Sequence, residues 1–138
     1  MERIKRLFRG RINRVEWVVG NVLVLLPTAA VGLLQSGTLS ILNKTSDTVL
    51  TMALVILLPL GLLALLFTLI VGVALNIRRL HDLGHSGWTI LVAMIPLVNI
   101  VFYFYLALKP GIATSNTYGE PPIKRGVFSM VFNTGTNV

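Results

Sequence analysis

Twenty-nine consecutive residues, Val49 to Ile77, contain no Asp, Glu, Lys, Arg or His. A soluble domain this small has too little interior to hide such a run. A bilayer can accommodate it, because lipid replaces water around the side chains and a helix satisfies its own backbone. A second uncharged run, Ser86 to Leu108, follows almost at once. Between them lies Arg78-Arg79-Leu80-His81-Asp82-Leu83-Gly84-His85, followed by Ser86-Gly87-Trp88. A charged knot between two membrane-grade segments belongs at a bilayer surface.

Composition supports this class. The chain is 54% hydrophobic and 12% charged, against about 25% charged in an average soluble domain, and its mean hydropathy is +0.80. The formal charge is +7, from twelve Lys and Arg against five acids. In a soluble chain that excess would suggest nucleic acid. Here the basic residues flank apolar spans and are expected to meet anionic lipid headgroups, with no nucleic acid as partner. Cysteine is absent, which removes disulfides, thiolate nucleophiles and Cys metal ligands.

The expected fold is an all-α integral membrane protein with two to three transmembrane helices and an N-terminal amphipathic interfacial helix. Residues 1–14 form a basic arm, with Arg3, Lys5, Arg6, Arg9, Arg11 and Arg14 against Glu2. Ile4, Leu7 and Phe8 cluster on a helical wheel and are expected to lie in the headgroup layer. The membrane domain covers residues 15–110, with spans at about 16–34, 49–77 and 88–108. Residues 111–138 form a polar tail, expected to be largely irregular. The first span is longer than the apolar part of a secretory signal, so cleavage is not expected; Pro27 is expected to kink it. Gln35 to Thr48 reads as an exposed polar loop. The second span would reach about 43 Å as a straight helix, against a hydrocarbon core of about 30 Å, so it must tilt, kink near Pro59-Leu60-Gly61 or protrude. Gly61, Ala64, Thr68 and Gly72 share one helical face; they suit intramolecular packing, with a homo-oligomer seam as the alternative.

The third segment is ambiguous. Its length suits one crossing. With a crossing, the arm and the Arg78–Trp88 loop place eight Lys and Arg on one side against four on the other; if the segment re-enters around Pro96-Leu97-Val98-Asn99, the count becomes eleven against one. Length favours three crossings and charge favours re-entry; three crossings is the expectation.

Three motifs, in order, resemble a bacterial membrane family known as domain of unknown function 805. Phe8-Arg9-Gly10-Arg11-Ile12-Asn13-Arg14-Val15-Glu16-Trp17 is similar to its F-x-G-R-x-x-R-x-E-aromatic start. Arg79 to Trp88 is similar to its R-x-H-D-x-x-x-S-G-W loop, and Pro110-Gly111 with Asn116-Thr117-Tyr118-Gly119-Glu120-Pro121-Pro122 to its P-G…N-x-Y-G-x-x-P ending. His85 stands where the family more usually carries another basic or polar residue. The resemblance covers about Phe8 to Pro122. It implies a bacterial inner-membrane protein and carries no established activity; the Lys and Arg count independently puts the N-terminus of this multi-pass chain on the cytoplasmic side.

The candidate site is a polar cluster of Arg11, Arg14, Glu16, Arg78, Arg79, His81, Asp82, Ser86 and Trp88, binding lipid headgroups or anions or serving structure, with Asn116, Tyr118 and Gly119 as a C-terminal motif. Ser86 is a candidate N-cap for the third helix. Glu16, at the edge of the first span, is expected to pair with Arg79 or Arg78, because a lone carboxylate near lipid is costly. Trp17 and Trp88 are candidate interfacial anchors. Asn21 and Asn99 are expected to make interhelical hydrogen bonds. His81, Asp82 and His85 lack the ligand number that a zinc site needs, and no nucleophile, phosphate-loop or paired-carboxylate pattern is present. No catalytic residue, metal or cofactor is assigned. The leading functional reading is a non-catalytic accessory or assembly protein binding headgroups or another membrane protein. The alternatives are an oligomeric channel or small-solute transporter, and a lipid-acting membrane enzyme using His81 and Asp82.

Overall fold

The structure, a computed structural model, describes residues 7–42 and 47–122. Its elements are α1 (Arg14–Leu42), α2 (Asp47–Asp82), a 3-10 helix η1 (Gly87–Met94) and α3 (Val98–Leu108). Among the described residues there is no strand, only an isolated antiparallel bridge between Asn116 and Gly119. The architecture is all-helical, and α1 and α2 are both long and apolar enough to cross a membrane.

The helix ends have local causes. The Asn13 side chain accepts the Glu16 backbone N–H at 2.8 Å, and Glu16 Oε2 accepts the Asn13 N–H at 3.2 Å. This reciprocal capping box starts α1. At the other end of α2, the His85 N–H reaches the Leu80 carbonyl at 2.9 Å and the Gly84 N–H reaches His81 at 3.1 Å. Gly84 takes φ +78°. That pair of bonds around a left-handed glycine is a Schellman stop. It ends the helix before His85, so His81 and His85 do not share a helical face.

The chain divides into two compact units. One comprises Leu23–Ile70. Its apolar side chains point outward: Leu33, Val55, Ile56, Leu58 and Leu63 are all more than 60% exposed. Polar groups make its interhelical contacts. Thr28 Oγ1 donates to the Ala64 carbonyl, Thr68 Oγ1 to the Val24 carbonyl, both at 3.1 Å, and Gln35 Nε2 to the Leu57 carbonyl. A Cβ on Gly61 would strike the Gln35 amide. Apolar outside and polar inside is the arrangement that lipid as solvent favours. Gly61, Ala64 and Thr68 thus receive α1 of the same chain, as the packing reading expects.

The second unit contains, of the described residues, 7–22 and 71–122. Here the third segment turns back. The chain bends at Ile95-Pro96-Leu97, where the Val98 N–H reaches the Pro96 carbonyl at 2.8 Å and Leu97 takes φ 67°, ψ −43°. This is a γ-turn with its central residue in a region that L side chains avoid. Both ends of the hairpin then meet the C-terminal end of α2: Gly87 lies against Ile77, and the Leu106 carbonyl accepts from Arg79. The single straight helix expected from length is therefore not formed; the segment is a hairpin of η1 and α3. Of the two half-length helices, α3 buries Phe102 and Leu106, while η1 buries no side chain.

Three further expectations change. Helix α1 runs on to Leu42 and α2 begins at Asp47, so most of the expected Gln35–Thr48 loop is helical. Ser36, Thr38 and Ser40 donate to carbonyls three or four residues back, which accommodates polar side chains within a helix. The interfacial helix of the arm falls mainly on residues 1–6, outside the described residues; beyond Gly10, at φ +83°, Arg11 and Ile12 are buried rather than laid in a headgroup layer. Of the tail, residues 123–138 lie outside the described residues, whereas Ile112 to Pro122 folds back on α2.

Leu97 is 80% exposed, so its side chain contributes little packing. Leu97→Gly is expected to raise stability by about 1 kcal/mol through relief of backbone strain, read as a higher Tm in detergent. A lower Tm would contradict the strained turn.

Candidate functional site

Arg78 and Arg79 enter the protein interior because the last turns of α2 are surrounded on all sides by the arm, the hairpin and the tail. Arg11, Arg78, Arg79 and Asp82 are each at most 1% exposed, and Glu16 is 2% exposed. So much buried charge requires pairing with good geometry.

Asp82 supplies it. Its Oδ1 accepts from Arg11 Nε at 3.2 Å and Nη2 at 3.0 Å, and its Oδ2 accepts from Arg79 Nη1. One carboxylate thus lies between two guanidinium groups, which Asp82 reaches from the arm on one side and from its own helix on the other. The remaining donors go to backbone carbonyls. Arg11 reaches Thr114 at 2.8 Å and Gly119 at 3.1 Å through Nη1, and Ile112 through Nη2. Arg79 reaches Leu106 at 2.9 Å through Nε and Lys109 through Nη2. The planar five-donor fork of arginine makes this many-armed contact possible; lysine could not reproduce it.

The tail is held by further bonds. The Ile112 N–H donates to the Asp82 carbonyl at 3.0 Å. Asn116 Nδ2 donates to the His81 carbonyl at 2.9 Å, while its Oδ1 accepts the Tyr118 N–H at 2.9 Å. The Tyr118 ring stacks on His81, centroids 3.9 Å apart and planes within 4°. His81 Nδ1 lies 3.3 Å from the Gly10 carbonyl, an acceptor, so Nδ1 carries the proton. The Ile12 N–H reaches the Arg78 carbonyl at 3.4 Å. Arm, α2, hairpin and tail are joined at one polar clasp.

The structure therefore gathers Arg11, Arg79, His81, Asp82, Asn116, Tyr118 and Gly119, and buries Arg78 and Glu16. It does not gather Arg14 and Ser86, which are exposed, nor Trp88, which is 80% exposed. Ser86 makes no side-chain cap bond, and the helix it precedes is 3-10. Of the two partners expected for Glu16, Arg79 is excluded, because all three Arg79 nitrogens are engaged by Asp82, Leu106 and Lys109. Trp17 is buried rather than interfacial: its Nε1 donates to Asn76 Oδ1 at 2.8 Å and its ring stacks with Tyr103. Asn21 Nδ2 bonds the Trp17 carbonyl of its own helix, not another helix. Among the described residues no three His, Asp or Glu side chains come together as a metal site would require.

Sequence reasoning missed the carbonyl acceptors at Leu106, Lys109, Ile112 and Thr114, which leave no side-chain signature. It also missed the Asn13-x-x-Glu16 capping box, which the residue spacing does carry. Gly111 has a reason visible only in space: a Cβ there would overlap the Asp82 carboxylate.

Two outcomes follow for thermal unfolding of purified protein. Asp82→Asn leaves two buried guanidinium groups without their carboxylate and is expected to cost about 3–5 kcal/mol. Gly111→Ala is expected to destabilise while Gly32→Ala, where a Cβ meets open space, is not. Equal effects of the two glycine substitutions would contradict the close packing of the tail on Asp82.

A family model described as "Protein of unknown function (DUF805)" matches residues 7–120. No curated protein and no solved structure matches the chain. The matched range holds the first two motifs whole and the third as far as Glu120, and with it covering most of the 138 residues, the chain belongs to the DUF805 family.

Proposed function

We propose that this chain is a small multi-pass protein of a bacterial inner membrane, with a cytoplasmic N-terminus, acting as a non-catalytic accessory or assembly protein. The observation that carries this reading is the complete internal use of the clasp. Asp82 has both oxygens committed to arginine, so it is poorly placed to take a proton from a substrate. Arg11 and Arg79 spend their guanidinium nitrogens inside the protein, so they are not the residues that meet a headgroup. The clasp instead holds the arm, the end of α2, the hairpin and the tail together as one polar face. Recognition of lipid headgroups or another membrane protein then falls to the rim of that face, where Arg9, Arg14 and Trp88 are exposed.

The lipid-acting enzyme draws less support, since His81 is stacked under Tyr118 and Asp82 is enclosed. The oligomeric transporter loses its proposed seam where Thr28 and Gln35 already fill it. Exposed substitutions usually change stability by less than about 0.5 kcal/mol. Arg9→Ala/Arg14→Ala and Trp88→Ala variants should therefore fold, and a several-fold loss of one defined co-purifying lipid or protein from native membranes is expected. Identical co-purification by wild type and both variants, or lipid turnover by purified protein, would contradict the reading.

A further inference from the structure

A second polar cluster lies outside the clasp. Tyr105, on the last turns of α3, has its hydroxyl 2.6 Å from His85 Nε2 and accepts a hydrogen bond from Lys109 Nζ, also at 2.6 Å. The Lys109 ammonium stands 4.7 Å from the centre of the Tyr105 ring, within cation–π range. Two basic side chains thus converge on one phenol hydroxyl, and among the described residues no carboxylate forms a salt bridge with either. Lys109 is exposed, and one N–H to Tyr105 leaves two for an external acceptor. Its backbone is anchored, because its carbonyl is held by Arg79.

The surroundings define what that acceptor would be attached to. Val101, Phe104 and Leu108, spaced i, i+3 and i+7, form one stripe of α3 and are 69%, 63% and 70% exposed; the stripe borders Tyr105, which lies four residues from both Val101 and Lys109. A cation above a stripe of exposed apolar side chains matches a phospholipid, phosphate uppermost and acyl chain below. A free phosphate ion would make no use of the stripe. Resting on the reading of this end of the protein as the headgroup-level face, we propose that Lys109, positioned by Tyr105 and His85, binds the phosphate of an anionic phospholipid whose acyl chain lies along Val101, Phe104 and Leu108.

The full chain would be reconstituted in phosphatidylcholine bilayers with and without phosphatidylglycerol, and Tm and the anionic lipid retained per protein measured. Wild type is expected to gain Tm and to retain phosphatidylglycerol several-fold above its bulk fraction. Lys109→Ala should lose most of both, Lys109→Arg should keep them, and Tyr105→Phe should fall between, with Tm in pure phosphatidylcholine unchanged. If Lys109→Ala also lowers Tm in pure phosphatidylcholine, His85→Gln is compared instead, and retention equal to wild type there overturns the proposal. Equal retention by wild type and Lys109→Ala overturns it, as does inorganic phosphate reproducing the full gain in Tm. Loss of lipid preference in wild type, with a defined membrane protein still captured through the Arg9, Arg14 and Trp88 rim, would remove this inference and leave the accessory reading standing.

Discussion

The unit around the end of α2 depends on a carboxylate held between two guanidinium groups in a place that water does not reach. Asp82 alone could not remain charged there, and neither Arg11 nor Arg79 could be buried without it. Together the three leave donors that only backbone carbonyls can fill, and those carbonyls belong to three separate stretches: the end of α3, the turn after it and the Asn116–Gly119 bridge. The clasp therefore determines where the hairpin ends and where the tail runs. Gly111 and Gly84 follow from it, one because the Asp82 carboxylate occupies the space of a Cβ, the other because α2 must stop directly after Asp82.

This organisation inverts that of a soluble domain. Outward-facing Leu, Ile and Val need no protein partner in lipid, so apolar burial gives little guidance to tertiary structure. Specificity passes to polar contacts. Thr28 with Ala64 and Gln35 with Leu57 serve within Leu23–Ile70, and the arginine–aspartate clasp serves in the other unit. The same logic separates structural from functional polar residues. A guanidinium whose donors are all satisfied internally is structural; the ammonium of Lys109, tethered by one bond and exposed, is available to a ligand.

Much of this was legible in the sequence, for reasons that differ by element. The two long helices were visible because charge is absent over whole spans, and the clasp residues were visible because charged side chains beside such spans are rare enough to mean something. The turn at Ile95-Pro96-Leu97 was only half legible. Proline and asparagine allowed it, but the length of the segment argued for a straight helix, and the choice depended on Arg79 capturing the Leu106 and Lys109 carbonyls. The fates of Arg14, Ser86 and Trp88 were not legible, since they sit within the same motifs as buried residues and differ only in the direction they face. The helical continuation through Gln35–Leu42 was hidden by serine and threonine, whose back-bonding to the preceding turn is local and leaves no periodic signal.

The arm and the tail meet on one face. The natural absence of cysteine makes it directly measurable. Single-cysteine variants Arg9→Cys and Ser115→Cys, both at exposed positions, would be treated in sealed, oriented membranes with a membrane-impermeant thiol reagent applied from one side at a time. The clasp predicts that both cysteines react from the same side. Reaction of Arg9→Cys and Ser115→Cys from opposite sides would mean that the third segment crosses the membrane, that Arg11 cannot reach Thr114 and Gly119, and that the clasp does not exist as described.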